Sequence, residues 1–107
     1  MNDFIDLQGV SGAAYRFRLW PDGAAHLPMA GSYVCVKQEG EGFAVLCVGE
    51  CNDLSQLRAE LPKPVQRAVT HVFTRLNVSR ALRLTEHTDL AGRFKTTPTR
   101  ERAAASS

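Results

Sequence analysis

Residues 31–49, GSYVCVKQEGEGFAVLCVG, decide the fold that the sequence predicts. Residues 32–37 and 43–48 are two runs rich in β-branched and other apolar side chains, and five polar or glycine residues separate them. This pattern is typical of a β-hairpin with a loop of about five residues. The second run is almost entirely apolar, which predicts a central strand that is buried on both faces.

The register of this hairpin depends on where its loop is centred. A loop centred on Gly40 would place Tyr33 opposite Cys47 and Cys35 opposite Val45. Residues directly opposite each other share one face of the sheet, with Cβ atoms about 5 Å apart. We therefore expect Tyr33 and Cys47 to be cross-strand neighbours, and Cys35 to lie only diagonally from Cys47.

A second hairpin is predicted nearer the N-terminus. Residues 4–7 form a short apolar-rich run, and residues 15–19 alternate between apolar side chains and arginines. An alternation with period two predicts a half-buried strand. Residues 21–23, Pro-Asp-Gly, have the composition of a turn that ends this strand.

Two helices and one more strand are predicted downstream. Asp53 can cap a short helix that carries Leu54, Leu57 and Leu61 at helical spacing. Pro62 and Pro64 are expected to end this helix. Residues 69–76 are rich in β-branched side chains, which favours a strand. Ser79 can cap a last helix over residues 80–92, and the side chains expected to line one side of it are Ala81, Leu84, Thr85 and Thr88.

The order of these elements predicts an α+β fold, in which a small and mainly antiparallel β-sheet is flanked by helices. The length of 107 residues suits one domain, which we assign to residues 1–95. Residues 96–107 lack periodicity and are expected to form a flexible tail. The tail and Lys95 carry most of the small positive excess of +2. One interpretation of that charge is a solvated tail, and the other is a tail that binds phosphate groups.

The cysteines and the apolar patterning predict a reducing, cytoplasmic location. Cys35, Cys47 and Cys51 are odd in number and form no CxxC pair, so we expect thiols and no disulfide framework. The first ten residues lack the features of a signal peptide. No run approaches the ~20 consecutive apolar residues that span a membrane, so no membrane partner is expected.

Several short stretches follow one another as in a known nuclease family. They are Gly31-Ser32-Tyr33, Cys47-Val48-Gly49, Asn52-Asp53-Leu54, Thr70-His71-Val72 and the R-x-x-E-x-x-D-L run at residues 83–90. The chain resembles the GIY-YIG nuclease superfamily, in particular its small single-domain bacterial members. The resemblance implies a GIY-YIG-like fold with an extra N-terminal β-hairpin.

The resemblance also implies a set of catalytic residues. Members of the superfamily cut a phosphodiester with two tyrosines, an arginine, often a histidine, and one glutamate that binds a divalent cation. In this sequence the corresponding candidates are Tyr33, Arg58 and His71, with Glu86 as the metal ligand for Mg²⁺. The arginine and the metal would neutralise the charge that builds up on the phosphate.

Two positions depart from the family pattern. Cys47 stands where the second tyrosine is expected, and Leu57 stands where the arginine is expected. Arg58 comes one residue later, which is about 100° of helical rotation away. Periodicity therefore turns Leu57 inward and Arg58 outward, unless the register slips near Asn52.

Each candidate also has a purely structural interpretation. Cys47 can be a small buried hydrophobe instead of a reactive thiol, and Arg58 can be an ordinary surface arginine. His71 can be a strand histidine on the same face as Phe73. Glu86 can form a surface ion pair with Arg83, three residues earlier on the helix.

Three functions follow from these observations, and the order given is the order in which we rank them. The first is a degenerate GIY-YIG-like domain that binds nucleic acid or a protein partner with little or no cleavage. The second is an active Mg²⁺-dependent endonuclease that uses Tyr33, Arg58, His71 and Glu86. The third is a protein-interaction scaffold with no nucleic-acid role. The sequence leaves open whether the chain is an enzyme. It favours the absence of activity, because the loss of one transition-state stabiliser lowers the catalytic rate about 10² to 10³-fold.

Overall fold

A computed structural model describes residues 3–96 of the chain. Within these residues the chain forms five strands, one short 3₁₀ helix and three α-helices. The strands are β1 (Phe4–Gln8), β2 (Ala14–Trp20), β3 (Gly31–Glu39), β4 (Gly42–Cys51) and β5 (His71–Leu76). The 3₁₀ helix spans Leu54–Gln56, and the α-helices are α1 (Leu57–Glu60), α2 (Lys63–Ala68) and α3 (Arg80–Ala91).

The five strands form one sheet in the order β1-β2-β5-β3-β4. Every neighbouring pair is antiparallel, so the predicted antiparallel α+β architecture is confirmed. Both predicted hairpins are present as β1–β2 and β3–β4. The last strand, β5, lies between the two hairpins and joins them into a single sheet.

The loop of the β3–β4 hairpin is shorter than predicted. Glu39 pairs with Gly42, so only Gly40 and Glu41 connect the strands. Gly40 has a φ of +60°, a conformation that two-residue hairpin turns require and that glycine adopts without steric cost. The prediction of a five-residue loop is wrong because the polar residues next to this turn continue the strands.

The register of the hairpin also differs from the prediction. Tyr33 lies opposite Gly49, and Cys35 lies directly opposite Cys47. A β-bulge at Cys35 inserts one extra residue into β4 and shifts the pairing. The observed partner of Tyr33 lies two residues beyond the predicted one. Because a shift of two residues keeps each side chain on the same face, Tyr33 and Cys47 still share a face, although they are not direct neighbours.

The two faces of the sheet carry separate apolar cores. The α3 face is the side on which α3 packs, and its buried side chains include Phe17, Val34, Phe73 and Leu90. The opposite face is covered by the 3₁₀ helix, α1 and α2, and its buried side chains include Trp20, Cys35, Leu54 and Leu57. The predicted burial of Leu54, Leu57 and Leu61 is confirmed.

The predicted helix caps are correct, but the predicted extents of the elements are less accurate. Asp53 caps the 3₁₀ helix by accepting a hydrogen bond from the Ser55 N–H, and Ser79 caps α3 by accepting from the Leu82 N–H. Helix α1 ends before Pro62 as predicted, but a further helix, α2, begins immediately after it. Proline is tolerated in the first turn of a helix, because the N–H groups there have no helical acceptor. The predicted strand over residues 69–76 begins two residues late, at His71.

The buried side of α3 is not the side that Ala81, Leu84, Thr85 and Thr88 were expected to line. Those four side chains are exposed. Arg83 and Leu90 are buried instead, and Glu86 and Asp89 are half-buried. This helix therefore faces the sheet with a mainly charged side, whose partners lie on distant parts of the chain.

Strand β4 is the outer strand of the sheet, so the prediction that it is central is wrong. The C-terminal end of the described chain lies against its outer edge. The Val48 N–H donates to the Lys95 carbonyl oxygen at 2.7 Å, and Thr96 forms a parallel bridge with Val48. The remainder of the predicted tail, residues 97–107, lies outside the described residues. Among residues 3–96, no helix is long and apolar enough to cross a membrane.

Candidate functional site

Tyr33 and Glu86, the two central residues of the predicted site, lie on different faces of the sheet. Tyr33 is paired directly with Thr74 of β5, and directly opposed residues share a face. The next residue on β5, Arg75, points to the other face and holds Glu86 with an Nε–Oε1 distance of 2.8 Å. The sheet therefore separates Tyr33 from Glu86.

The Glu86 carboxylate is engaged by an arginine of the sheet. Arg75 donates to both of its oxygens, at 2.8 and 3.4 Å, and the Glu86 side chain is only 17% exposed. Within residues 3–96 no group of three or more His, Cys, Asp or Glu side chains could hold a metal ion. A cation at Glu86 would therefore have to compete with the Arg75 guanidinium for the carboxylate oxygens.

Arg83 does not pair with Glu86, contrary to the predicted ion pair on the helix. Its guanidinium is 3% exposed and donates to Glu50 Oε2 at 2.7 Å. It also donates to Asn52 Oδ1 at 2.9 Å and to the Asn77 carbonyl oxygen at 3.1 Å. Arg83 therefore ties α3 to the end of β4 and to the segments that follow β4 and β5.

Arg58 is also engaged inside the fold. Its guanidinium lies 4.1 Å from the centre of the Trp20 ring and donates to the carbonyl oxygens of Trp20 at 2.6 Å and Pro21 at 3.0 Å. Partial burial lowers the pKa of the Arg58 guanidinium from its ordinary value. The neighbouring Leu57 is buried as predicted, whereas Arg58 is not the outward surface arginine that periodicity predicts, because it packs on Trp20.

His71 lies on the α3 face, but at the other end of β5 from the Glu86 contact. Four residues separate His71 from Arg75, which is about 13 Å along a strand. The His71 ring meets Phe43 edge to face with 5.6 Å between ring centres, and its Nδ1 atom lies 2.9 Å from Thr70 Oγ1. The structure therefore does not bring His71 and Glu86 together.

Tyr33 and Cys47 lie in the core of the opposite face. Tyr33 is 6% exposed and Cys47 is 3% exposed. The Tyr33 ring lies directly over Gly49, where any Cβ atom would collide with it. The hydrogen bond with Cys47, followed by burial, raises the pKa of the Cys35 thiol. These surroundings favour the interpretation of Cys47 as a buried hydrophobe.

A cleft lies elsewhere on the opposite face, where the short helices leave the N-terminal hairpin uncovered. Its volume is about 490 Å³, within the range that ligand sites occupy. Strands β1, β2 and β5 and the segment between β2 and β3 form its walls. The side chains that line it include Phe4, Arg16, Arg18, Trp20, His26, Leu27 and Leu76.

Two arginines of β2 give the cleft its positive charge. Arg16 donates to Asp6 at 3.0 Å and lies 5.5 Å from the centre of the Phe4 ring. Arg18 is exposed and makes no ion pair or side-chain hydrogen bond within residues 3–96. It is therefore the cation of the cleft that a ligand could engage without breaking an internal contact, although Asp3 contributes one carboxylate to the same cleft.

The segment after β2 is held in place as one wall of the cleft. His26 Nε2 lies 2.8 Å from Thr74 Oγ1, and its ring meets the edge of Trp20 with 5.0 Å between ring centres. Trp20 donates its Nε1–H to the Ala24 carbonyl oxygen at 2.8 Å. Sequence reasoning missed this cleft because its residues come from four separate segments. The only signal was the pair of arginines at alternate positions of β2.

Comparisons of the chain with protein-family models, with curated proteins and with solved structures found no match. The resemblance to the GIY-YIG superfamily therefore stays a prediction from the sequence.

Proposed function

We propose that this chain is a GIY-YIG-like domain that binds nucleic acid without cutting it. The observation that carries the proposal is the separation of Tyr33 and Glu86 by the sheet. Phosphodiester cleavage requires the attacking group and the charge-neutralising groups to converge on one reacting centre, with contacts of about 3 Å. Residues on two faces of one sheet do not meet this requirement.

The β2 arginines are the proposed contact for the nucleic acid. Arg16 and Arg18 project from the same face, two residues apart, and both are exposed. Phe4 lies beside them and is 46% exposed. Arginine groups bind phosphates, and exposed aromatic and guanidinium faces stack on unpaired bases. We therefore propose single-stranded nucleic acid as the ligand.

A cleavage assay tests the catalytic half of the proposal. We expect the unmodified chain to leave plasmid, branched and single-stranded DNA intact at low salt, over a range of Mg²⁺ and Mn²⁺ concentrations. Glu86→Gln is the matched variant, because it keeps a hydrogen-bond acceptor for Arg75 and removes the charge. Metal-dependent cleavage that disappears in Glu86→Gln would establish the endonuclease instead.

A binding titration tests the other half. With a fluorescently labelled single-stranded oligonucleotide, Arg18→Ala should weaken binding roughly tenfold, because a charge-assisted contact is worth about 1.5 kcal/mol. It should also reduce the slope of log K against log salt by roughly 0.7 for each phosphate that the variant no longer neutralises. Arg80→Ala, an exposed arginine on α3, removes the same charge away from the cleft and serves as the control. Equal effects of the two variants would contradict the proposed surface.

A protein partner is the second candidate, and the exposed apolar side chains of the same cleft favour it. Leu27 is 58% exposed and Leu76 is 47% exposed. An apolar peptide segment could cover these two leucines, with its acidic residues near Arg18. Leu27→Ser should abolish binding of such a peptide and leave oligonucleotide binding nearly unchanged.

A further inference from the structure

Cys35 and Cys47 form a direct cross-strand pair in the β3–β4 hairpin. Their thiols are hydrogen-bonded to each other, and the residues are 0% and 3% exposed. Directly opposed strand residues have Cβ atoms about 4.5–5.5 Å apart, and a disulfide needs about 3.5–4.5 Å. A small approach of the two strands would therefore bring the sulfur atoms of Cys35 and Cys47 within bonding distance.

Cys51 is an internal reference for this pair. It lies on the same face of β4 as Cys47, but its cross-strand partner is Gly31, so no thiol lies opposite it. Four residues along a strand place it about 13 Å from Cys47. Within the fold, Cys51 therefore has no cysteine within disulfide distance along its own strand or directly across from it.

We propose that Cys35 and Cys47 are an oxidisable thiol pair, which a peroxide converts into a disulfide that links β3 and β4 within the folded chain. One cysteine sulfur attacks a peroxide oxygen, which cleaves the O–O bond, forms a sulfenic acid and releases water or an alcohol. The second thiol displaces water from the sulfenic sulfur and forms the S–S bond. Each thiol loses one hydrogen, and the peroxide is reduced by two electrons.

The surroundings of the pair make this oxidation conditional on local opening. Leu54 and Leu57 belong to the same buried cluster as the two cysteines, so the 3₁₀ helix and α1 cover the thiols. The hydrogen bond and burial keep Cys35 protonated, and the thiolate is the nucleophile. Oxidation should therefore proceed at the rate at which the 3₁₀ helix and α1 move away from the thiols. A low urea concentration should accelerate this opening and hence the oxidation.

Intact-mass measurement and peptide mapping of the full chain test the proposal. The reduced chain is freed of reductant, treated with hydrogen peroxide, and alkylated in denaturant. We expect the number of alkylated cysteines to fall from three to one, the mass before alkylation to fall by that of two hydrogens, and the remaining label to lie on Cys51. Dithiothreitol should restore all three thiols.

Variants locate the bond and measure its effect. Cys51→Ser should oxidise as the unmodified chain does, whereas Cys35→Ser should form no intramolecular disulfide. The oxidised chain should unfold at a higher urea midpoint than the reduced chain, because the bond restricts the unfolded chain. Three alkylated cysteines after peroxide treatment, a bond that includes Cys51, or sulfinic acid at Cys47 would each overturn the proposal. The peptide map of the unmodified chain decides the question even if Cys35→Ser fails to fold.

Discussion

The two faces of the sheet are held to their helices in different ways. On the opposite face, Leu54, Leu57 and Leu61 pack into an apolar cluster. On the α3 face, Leu90 is the one buried hydrophobic side chain of the helix, and Arg83 is its other buried side chain. Apolar packing is not directional, whereas an ion pair or hydrogen bond requires particular atoms at particular positions.

This difference indicates how each helix finds its place. The short helices of the opposite face are positioned mainly by burial of their leucines, to which Arg58 adds hydrogen bonds to the carbonyl oxygens of Trp20 and Pro21. Helix α3 is positioned by three polar attachments to the rest of the chain. These are Arg83 with Glu50, Glu86 with Arg75, and Asp89 with Ser11 and Tyr15. Removing one partner of a buried ion pair is strongly destabilising, and the predictions below compare the polar and the apolar attachments.

The largest effect is expected from Arg83→Ala. Removing one partner of a buried ion pair costs about 3–5 kcal/mol of the free energy of unfolding, because the remaining charge is left without its partner. Since Glu50 is 26% exposed, we expect a loss near the lower end of that range in urea denaturation. Arg80→Ala on the exposed side of the same helix is the control and should change the free energy of unfolding very little. Equal losses would refute the polar attachment of α3.

Leu57→Ala should cost nearly as much on the opposite face. Truncating a buried leucine costs about 2–5 kcal/mol, because apolar burial is reduced and a cavity remains. The exposed Leu84 of α3 is the matched control, and Leu84→Ala should have a small effect. Salt should leave the Leu57→Ala loss unchanged, and a loss that varies with salt would argue against purely apolar packing.

A smaller loss is expected from Gly49→Ala. The added Cβ would collide with the ring of Tyr33, and overpacking of a core costs about 1–3 kcal/mol. Gly42→Ala on the same strand is the control, because its nearest contact would be the Glu39 carbonyl oxygen at 4.0 Å. If the two variants are equally stable in thermal denaturation, the Tyr33 ring does not rest on Gly49 in solution.

The smallest effect is a dependence on pH at the contact between Asp89 of α3 and the N-terminal hairpin. Hydrogen bonds from Ser11, and then from Tyr15, lower the pKa of Asp89 below its ordinary value. A lowered pKa in the folded chain stabilises it above the unfolded pKa of about 3.9, and this contribution is lost as pH falls through the folded value. Urea midpoints measured across acid pH should fall less steeply in Asp89→Asn than in the unmodified chain.

The alkaline side provides a second test of the same contact. The hydrogen bond to Asp89 raises the pKa of Tyr15 above its ordinary value of 10.0. A raised pKa stabilises the folded chain below the unfolded pKa, and this contribution is lost as pH rises through the folded value. Tyr15→Phe should remove this alkaline loss. An unchanged alkaline slope would show that Tyr15 is not bonded to Asp89 in solution.

Much of the local structure could be predicted because it depends on neighbouring residues. Helix caps act within a few residues, so Asp53 and Ser79 were identified correctly. Alternating and apolar runs identified both hairpins, and helical spacing identified the buried leucines. The loop length was wrong because the polar residues at 38 and 39 and the glycine at 42 suit a strand end as well as a loop. The sequence did not show that α3 would turn a charged side to the sheet, because apolar periodicity assumes that a helix buries its apolar side.

The sequence by itself determined the antiparallel α+β class, the strands and their hairpins, because these follow from patterns within about ten residues. Only the tertiary structure decided which candidate residues meet. Arg83 finds Glu50 and Asn52 more than thirty residues away, and the bulge at Cys35 sets which cysteine faces which. The faces of Tyr33 and Glu86 depend on how β5 pairs with β3, and a one-residue change in that register would reverse a face. No local pattern encodes such a register, since it results from packing the whole sheet against its helices.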